Sequence, residues 1–265
     1  MDNLNQWIER QVADAVRNRQ AEAGIHTTWR SPLVAYASAH DPIFAQLREV
    51  ISPTHLTPRD LLPGAETVIV YFVPFDERIG RSNLAEGPAS LAWAVAYVET
   101  NLLLMDINER LARALSLSGY GATLLPPTHN FDKTRLVSDW SHKHAAYVAG
   151  LGTFGLHRML ITDQGCSGRL GSLVTNARIA PTPRKTTEAC LYKVDGSCRA
   201  CVQRCPAQAL SDEGFDRHAC YSVCLGNAAR YQEDGPADVC GKCASVVPCS
   251  FGDPVKQQRS VAPRL

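Results

Sequence analysis

Five helices are predicted, some from apolar residues that recur at helical spacing and others from capping signals at their starts. Two of the predicted helices begin with a capping residue followed by Pro, which is favoured in the first turn of a helix. The longest pattern should end at Gly119, since glycine readily adopts the left-handed conformation that closes helices. The helices are predicted over residues 3–22, from Ser31-Pro32, from Asp41-Pro42 to about Val50, over Ala89–Leu117 and over Ser141–Ala149.

Shorter apolar runs predict four strands. Thr67–Val73 is apolar without alternation, which is typical of a strand that is covered on both faces. The proline-rich segment Ser52–Gly64 before it should be irregular apart from a turn. The other strands are predicted over Ala122–Leu125, Met159–Thr162 and Leu170–Ile179.

The order of these elements predicts an α/β or α+β fold in which helices flank a sheet. A chain of 265 residues can bury one core with a small appendage. Ala180–Pro183 is a plausible linker, so we expect one domain over residues 1–183 and a second over residues 184–265. The second domain should be a loop-rich module that is held together by metal sites rather than by apolar burial.

Composition narrows the class of protein. The formal net charge of +1 gives no global field that would attract nucleic acid or an acidic membrane surface. No run of about 18 apolar residues and no secretion signal is present, so we expect no membrane span and a cytoplasmic location. Thiols stay reduced in the cytoplasm, where closely spaced cysteines indicate metal or redox chemistry rather than disulfides.

Nine of the ten cysteines lie between residues 190 and 249, and eight of these form a pattern that suits two iron–sulfur clusters. Cys198, Cys201 and Cys205, followed by Pro, match the end of the ferredoxin run C-x2-C-x2-C-x3-C-P. The first Cys of that run is missing at its usual spacing, but Cys190 lies a short loop upstream. The second half of the pattern contains Cys220, Cys240, Cys243 and Cys249.

Each half of the pattern can supply ligands to both clusters, because in ferredoxins with two clusters the Cys before Pro crosses to the other one. That rule gives cluster one the ligands Cys190, Cys198, Cys201 and Cys249, and cluster two the ligands Cys205, Cys220, Cys240 and Cys243. Cys224 could replace Cys220, whereas Cys166 is expected to be a packing thiol. Zinc bound by the two C-x2-C pairs is an alternative that leaves the other four cysteines unexplained.

A glycine-rich segment before the cysteines forms a second candidate site. Gly150, Gly152 and Gly155 fall within six residues, so few side chains separate the backbone from whatever lies against it. A planar or phosphate-bearing ligand could approach closely there. A tight turn between a helix and a strand explains the same glycines.

The segment from Asp139 to Thr175, together with the cysteine pattern, resembles the superfamily of epoxyqueuosine reductases and reductive dehalogenases. The matching pieces are Ala-Gly-Leu-Gly-Thr-Phe-Gly at 149–155, Leu-Ile-Thr at 160–162, and Arg-Leu-Gly-Ser at 169–172 with Thr175. The resemblance implies a nitroreductase-like core that holds base-off cobalamin, followed by a ferredoxin-like module with two [4Fe–4S] clusters. Thr153 stands where the family usually has Trp, and Leu156-His157 lies near its usual Lys-Asn pair.

The resemblance also implies roles for individual residues. Asp139 matches the proton donor of the family, although a role as N-cap of the following helix explains it equally well. Tyr147 is a reserve proton donor, because dehalogenases use a tyrosine. The residues expected at the cofactor are His129, Gly150, Gly152, Thr153, Gly155, Arg169, Gly171 and Ser172.

The expected function is that of a cobalamin-dependent iron–sulfur reductase that acts on a small electrophilic substrate. A ferredoxin or a flavodoxin-type protein would supply the electrons. The chain stops soon after Cys249, without the helical-repeat region that helps epoxyqueuosine reductases hold tRNA, so nucleic acid is not expected as a partner. Two alternatives stay open: an electron carrier or corrinoid-reducing partner protein without its own substrate, and the same core with FMN.

Overall fold

A computed structural model describes residues 4–261 as a mixed α/β protein with small antiparallel sheets, which confirms the predicted mixture of helices and strands. The helices are α1 (Leu4–Gln20), α2 (Ile43–Val50), α3 (Pro58–Leu61), α4 (Glu77–Ser82), α5 (Leu91–Leu117), α6 (His142–Val148), α7 (Leu191–Asp195), α8 (Ala200–Gln203), α9 (Arg217–Arg230) and α10 (Pro254–Val261). The strands are β1 (Leu33–Ser38), β2 (Thr67–Pro74), β3 (Phe131–Asp132), β4 (Val137–Ser138), β5 (Gly152–Phe154), β6 (Leu160–Thr162) and β7 (Gly168–Thr175).

The central sheet has the strand order β1-β2-β7, with antiparallel neighbours. Every residue of β2 is buried, as the sequence predicts. Successive side chains of a strand point to opposite faces. Ile69 and Tyr71 therefore reach a core formed with α1 and α5, whereas Val68 and Val70 reach a second core formed with α2 and α6. These two cores explain why the apolar run in β2 has no alternation.

Helix α5 lies against this sheet and is tied to it by buried hydrogen bonds. Its first turn is capped by Ser90, whose side chain accepts from the backbone N–H of Trp93. The Tyr71 hydroxyl lies 2.9 Å from Asn108 Oδ1, and Asn108 Nδ2 donates to the backbone oxygen of Leu125 at 3.1 Å. The Tyr71 hydroxyl also lies 2.9 Å from the backbone oxygen of Leu104, whereas buried Asn108 Oδ1 depends on this hydroxyl for its hydrogen bond.

Two predicted elements are wrong. Ser31-Pro32 does not open a helix, because residues 33–38 form β1 and pair with β2. Pro is also tolerated at the start of a strand, so the local signal did not decide between the two structures. Residues 122–125 form no strand, and Ala122 makes a single bridge to Thr175.

The other predicted elements are present with small shifts of their ends. The strand predicted over residues 170–179 runs from Gly168 to Thr175, and the one predicted over 159–162 begins at Leu160. Residue 3 of the predicted first helix lies outside the described residues. No helix within residues 4–261 is long and apolar enough to cross a membrane.

The cysteine-rich segment consists of short helices and loops packed on the core. Its apolar cluster is small and includes residues of the preceding hairpin; the buried members are Leu156, Ile161, Cys166, Ala189, Cys190, Cys201, Ala244 and Val247. The turn between β6 and β7 joins it to the core, because the Arg30 guanidinium donates to the backbone oxygens of both Gln164 (2.7 Å) and Phe251 (3.1 Å). The domain boundary near residue 183 stays a prediction.

We expect Tyr71→Phe to destabilise the protein by about 1–3 kcal/mol, because Asn108 Oδ1 would lose its buried donor. Thermal unfolding followed by circular dichroism should show a lower midpoint. Tyr120→Phe is the matched control, since Tyr120 is 39% exposed. Equal midpoints for the two variants would contradict the role assigned to the Tyr71 hydroxyl.

Candidate functional site

Four cysteines line a small cavity between α7, α8 and the start of α10, which we call the first cysteine cavity. They are Cys190, Cys198, Cys201 and Cys249. Cys190 directly precedes α7, and Cys201 lies within α8. Burial raises the pKa of Cys201 to about 12, and the nearby Cys249 adds to this shift. Thiols this close together resist ionisation unless a cation lies between them.

Six further cysteines line a larger cavity of about 380 Å³, which we call the central cavity. They are Cys205, Cys220, Cys240 and Cys243, together with Cys166 and Cys224. Cys205 follows α8, yet it lies with this group and not on the wall of the first cysteine cavity. Burial raises the pKa of Cys243, and the neighbouring Cys220 and Cys240 add to the shift. Each cavity thus contains the four cysteines predicted for one cluster, and the central cavity contains Cys166 and Cys224 in addition.

Cys224 also lines the central cavity, one helical turn after Cys220 in α9. A hydrogen bond from the Cys224 thiol lowers the pKa of Cys220 to about 7. The same hydrogen bond raises the pKa of Cys224. Cys220 is thus the thiol of this pair that ionises first, and metals bind the thiolate.

A third group of potential metal ligands lies on the wall between the two cavities. His157 lines both cavities, and its Nε2 is 3.3 Å from Cys249 Sγ. Cys166 Sγ lies 4.0 Å from the same sulfur. The three ligand atoms are all within 4.8 Å of one another. Cys166 is therefore not merely a packing thiol, because it lies beside a predicted cluster ligand.

A buried tyrosine and a half-buried carboxylate also line the central cavity. The Tyr97 hydroxyl donates to Asp238 Oδ1 at 2.8 Å, and His129 Nε2 lies 3.0 Å from Asp238 Oδ2. The Arg169 guanidinium stacks 4.3 Å from the Tyr97 ring centre. Burial raises the pKa of Tyr97, although the Arg169 charge opposes this shift. Sequence reasoning missed this pair, because Tyr97 looks like a core residue of α5 and Asp238 has no motif around it.

Four basic side chains contribute to the wall of the central cavity, which is otherwise mainly apolar. Lys143, Arg158, Arg169 and Arg217 contribute to its lining, in which Asp238 supplies a carboxylate. Burial lowers the pKa of Lys143, whereas the nearby thiols of the second cysteine set oppose the shift. The cavity therefore favours negatively charged contents, such as a thiolate-bound cluster or an anionic ligand.

The glycine-rich segment packs against the protein itself. A side chain at Gly150 would come within 2.5 Å of the Pro183 backbone oxygen, and one at Gly152 would overlap the backbone of Ile161. A side chain at Gly171 would overlap the Tyr71 ring. Gly150 also has φ +78°, which favours glycine. These three glycines serve close packing, and none of them lines the central cavity.

Two hydroxyl side chains predicted at the cofactor are engaged within the core. Thr153 Oγ1 accepts from the backbone N–H of Ala189 at 3.0 Å. Ser172 Oγ accepts from Trp140 Nε1 at 3.0 Å and lies 2.8 Å from His142 Nδ1. Both residues are buried, so they hold the sheet to its neighbours rather than face a cavity. Of the predicted cofactor residues, Arg169 lines the central cavity and Gly155 lines the first cysteine cavity.

The two predicted proton donors lie outside the lining of the central cavity. Asp139 is exposed, and its carboxylate accepts from the Thr54 hydroxyl at 2.6 Å. Its alternative role as N-cap is wrong, because Ser141 holds that position in α6. Tyr147 is half-buried beside Phe154, with ring centres 5.8 Å apart.

A groove of about 490 Å³ adjoins the central cavity and shares Thr128 with it. The groove lies between α5 and residues 124–129, with His129 at one end, and Met105 and Leu124 expose apolar surface along it. Asn101 lines the groove with its Oδ1 buried and without a hydrogen-bond partner among the described residues. A buried acceptor left unpaired is unfavourable, so Asn101 is suited to a ligand with N–H groups.

Comparison with solved structures identifies the fold. No family model and no curated protein matches the chain. An epoxyqueuosine reductase from Bacillus subtilis matches with a TM-score of 0.58 and 18% identity, over 95% of this chain and 67% of that one. An epoxyqueuosine reductase bound to a tRNA stem loop gives 0.57 and 17%, over 95% and 67%. A reductive dehalogenase described as B12-dependent gives 0.51 and 17%, over 86% and 31%.

The fold is thus one that known redox enzymes use. It is the fold of epoxyqueuosine reductases and B12-dependent reductive dehalogenases, which confirms the resemblance seen in the sequence. This chain spans about two thirds of the reductases and about a third of the dehalogenase. Because one neighbour holds a tRNA stem loop, the expectation that nucleic acid is not a partner gains no support.

The stability of the site should fall in acid because of His142. Its Nε2 donates to the Pro126 backbone oxygen at 2.9 Å, and burial lowers its pKa from 6.5 to about 4. The unfolded chain therefore binds this proton first, so stability present above pH 6.5 is lost as the pH falls toward 4. The free energy of unfolding, measured by chemical denaturation between pH 4 and 7, should change less steeply with pH in His142→Gln than in the native chain. The control His218→Gln, at an exposed position, should keep the pH dependence of the native chain. The same pH dependence in His142→Gln as in the native chain would contradict the assignment.

Proposed function

We propose that the protein is an iron–sulfur oxidoreductase with two [4Fe–4S] clusters, one in each cysteine-lined cavity. The observation that carries this proposal is that the four cysteines predicted for each cluster line the same cavity, with Cys205 beside Cys240 and Cys243. Such an exchange between neighbouring motifs is typical of ferredoxins with two clusters. Each set offers the four thiolates that one cluster needs, and the clusters supply one-electron transfer between the two cavities. The nitroreductase-like core and the ferredoxin-like module are part of this proposal.

Zinc fits this arrangement less well. A tetrahedral zinc site would use the two C-x2-C pairs, Cys198 with Cys201 and Cys240 with Cys243. The two pairs line different cavities, so they do not form one site.

Cobalamin is the acceptor that the solved neighbours favour, because one of them is described as B12-dependent. The glycine-rich segment does not offer the open surface expected for cobalamin. The central cavity and the adjoining groove offer such a surface. The unpaired Oδ1 of Asn101 suits the amide groups on the rim of a corrin ring. A bound corrinoid would supply a strongly reducing, nucleophilic cobalt centre. FMN is the alternative occupant of the same space.

Within that space the side chains of this protein would bind the substrate and handle its proton. Tyr97 carries a hydroxyl whose proton is held toward Asp238, and the raised pKa keeps it protonated at neutral pH. Arg169 and Lys143 favour an anionic or electron-rich group beside it. The proposed substrate is a small electrophile that enters the central cavity. Asp139 and Tyr147 stay predicted donors that would have to move to reach it.

An external protein would supply electrons one at a time, and a ferredoxin or flavodoxin-type donor is proposed. A pure electron carrier would need no pocket beside its clusters. The hydrogen-bonded pair of Tyr97 and Asp238 on the wall of the central cavity therefore favours an enzyme over an electron carrier.

Anaerobic reconstitution should give about eight irons and eight sulfides per chain. Cys205→Ser should remove the EPR signal of the cluster in the central cavity, and Cys198→Ser that of the cluster in the first cysteine cavity. Cys224→Ser is the control and should keep both signals. Loss of the same signal in the Cys205 and Cys198 variants would contradict the grouping, and about one zinc with little iron would contradict the proposal.

Cobalamin binding provides a test of the acceptor. We expect cob(II)alamin to bind with the absorbance change of the base-off form, and Asn101→Leu to weaken binding by about tenfold, or about 1.4 kcal/mol. The apoprotein of this variant should be as stable as the native chain or more stable, because it no longer buries an unpaired acceptor. Binding of FMN but not cobalamin to the native chain would replace cobalamin in the proposal.

A further inference from the structure

A hairpin places one histidine between the two cysteine sets. Strands β5 and β6 pair antiparallel up to Phe154 and Leu160, and the residues between them form the tip. The backbone N–H of Gly155 donates to Met159 O at 2.9 Å, which closes the tip. His157 lies at this tip, is 3% exposed and lines both cavities. The hairpin thus inserts an imidazole into the wall that separates them.

The hydrogen bonds of the His157 ring determine which nitrogen carries its proton. The backbone N–H of Met159 donates to Nδ1 at 3.2 Å, so Nδ1 is an acceptor. A neutral imidazole has one N–H, which must then be on Nε2. Nε2 lies 3.3 Å from Cys249 Sγ. The ring therefore directs an N–H at the sulfur.

Gly155 makes this orientation possible. A Cβ on Gly155 would lie 2.5 Å from His157 Cε1 and 2.7 Å from His157 Nδ1. Any side chain there would displace the ring and break its alignment with the sulfur. A glycine that the sequence suggested for cofactor contact thus has the role of seating this histidine.

We propose that His157 is a positioning residue that raises the reduction potential of the first cluster through a hydrogen bond to Cys249. This inference rests on the proposed function, in which Cys249 is a ligand of that cluster. Reduction adds negative charge to a cluster and its sulfurs, and an N–H aimed at a ligand sulfur stabilises that charge. His157 also lines the central cavity, so this histidine lies between the two cysteine sets.

Substitutions at His157 separate the hydrogen bond from packing. His157→Phe keeps a planar ring but has no N–H, whereas His157→Gln keeps an N–H at comparable reach. In the full chain with both clusters, EPR-monitored redox titration should give a more negative midpoint potential for the first cluster in His157→Phe. The potential in His157→Gln should lie close to that of the native chain. The second cluster should keep its potential in both variants.

Gly155→Ala is an independent variant, because it retains the histidine and displaces the ring. It should shift the potential of the first cluster in the same negative direction as His157→Phe. The signal that disappears in Cys198→Ser identifies the first cluster in these titrations. Gly155→Ala also keeps the test decisive if His157→Phe fails to take up the cluster.

Iron and sulfide analysis separates this inference from the function on which it rests. Absence of [4Fe–4S] clusters from the native chain would overturn the proposed function. If every variant holds two clusters but the reduction potential of the first cluster is unchanged in His157→Phe and Gly155→Ala, only the role of His157 would be overturned. Loss of one additional, non-cluster metal ion on His157→Phe would also overturn it, because Nε2 would then be a ligand beside Cys166 and Cys249 rather than a donor.

Discussion

The structure depends on holding eight thiols side by side in two confined cavities. Burial and mutual repulsion both disfavour thiolates, which is why the pKa values of Cys201 and Cys243 are raised. Iron bound between the thiolates would reverse this balance, since metal binding favours the ionised ligand. The cysteine-rich segment has only a small apolar cluster of its own. Its folding free energy must therefore come largely from docking on the core, to which the proposed metal–thiolate bonds would add.

Docking uses backbone contacts that only glycine permits. Gly150 lies against the chain at Pro183, just before the cysteine-rich segment begins. Gly165 lies against the backbone of Ser250 and Phe251, next to Cys249. The two contacts hold the beginning and the end of the cysteine-rich segment on the same side of the core. Small residues before the cysteines thus help to set the geometry of the cluster ligands rather than bind a ligand themselves.

The sequence predicts those parts of the structure that local patterns determine. β2 and α5 follow from apolar periodicity, whereas the assignment of the cysteines to two clusters stays a prediction from spacing and the rule of the crossing ligand. β1 was missed because its pairing with β2, and not its own residues, decides its structure. The pair Tyr97–Asp238 joins residues 141 positions apart, so no local pattern could have indicated it. For Asp139 the sequence placed the residue near the helix start but could not show that Ser141 occupies the cap.

Fold alone does not decide what enters the central cavity. Epoxyqueuosine reductases and reductive dehalogenases share this fold but act on different classes of substrate. Under the proposed function, the selecting elements would be side chains of the cavity wall, which include Tyr97, Asp238, Arg169 and Lys143. Tyr97 is held by Asp238 on one side and covered by Arg169 on the other, so its hydroxyl has little freedom to turn. The proposed substrate would therefore meet a fixed hydroxyl beside basic side chains, which suits a compact molecule with one electron-rich group.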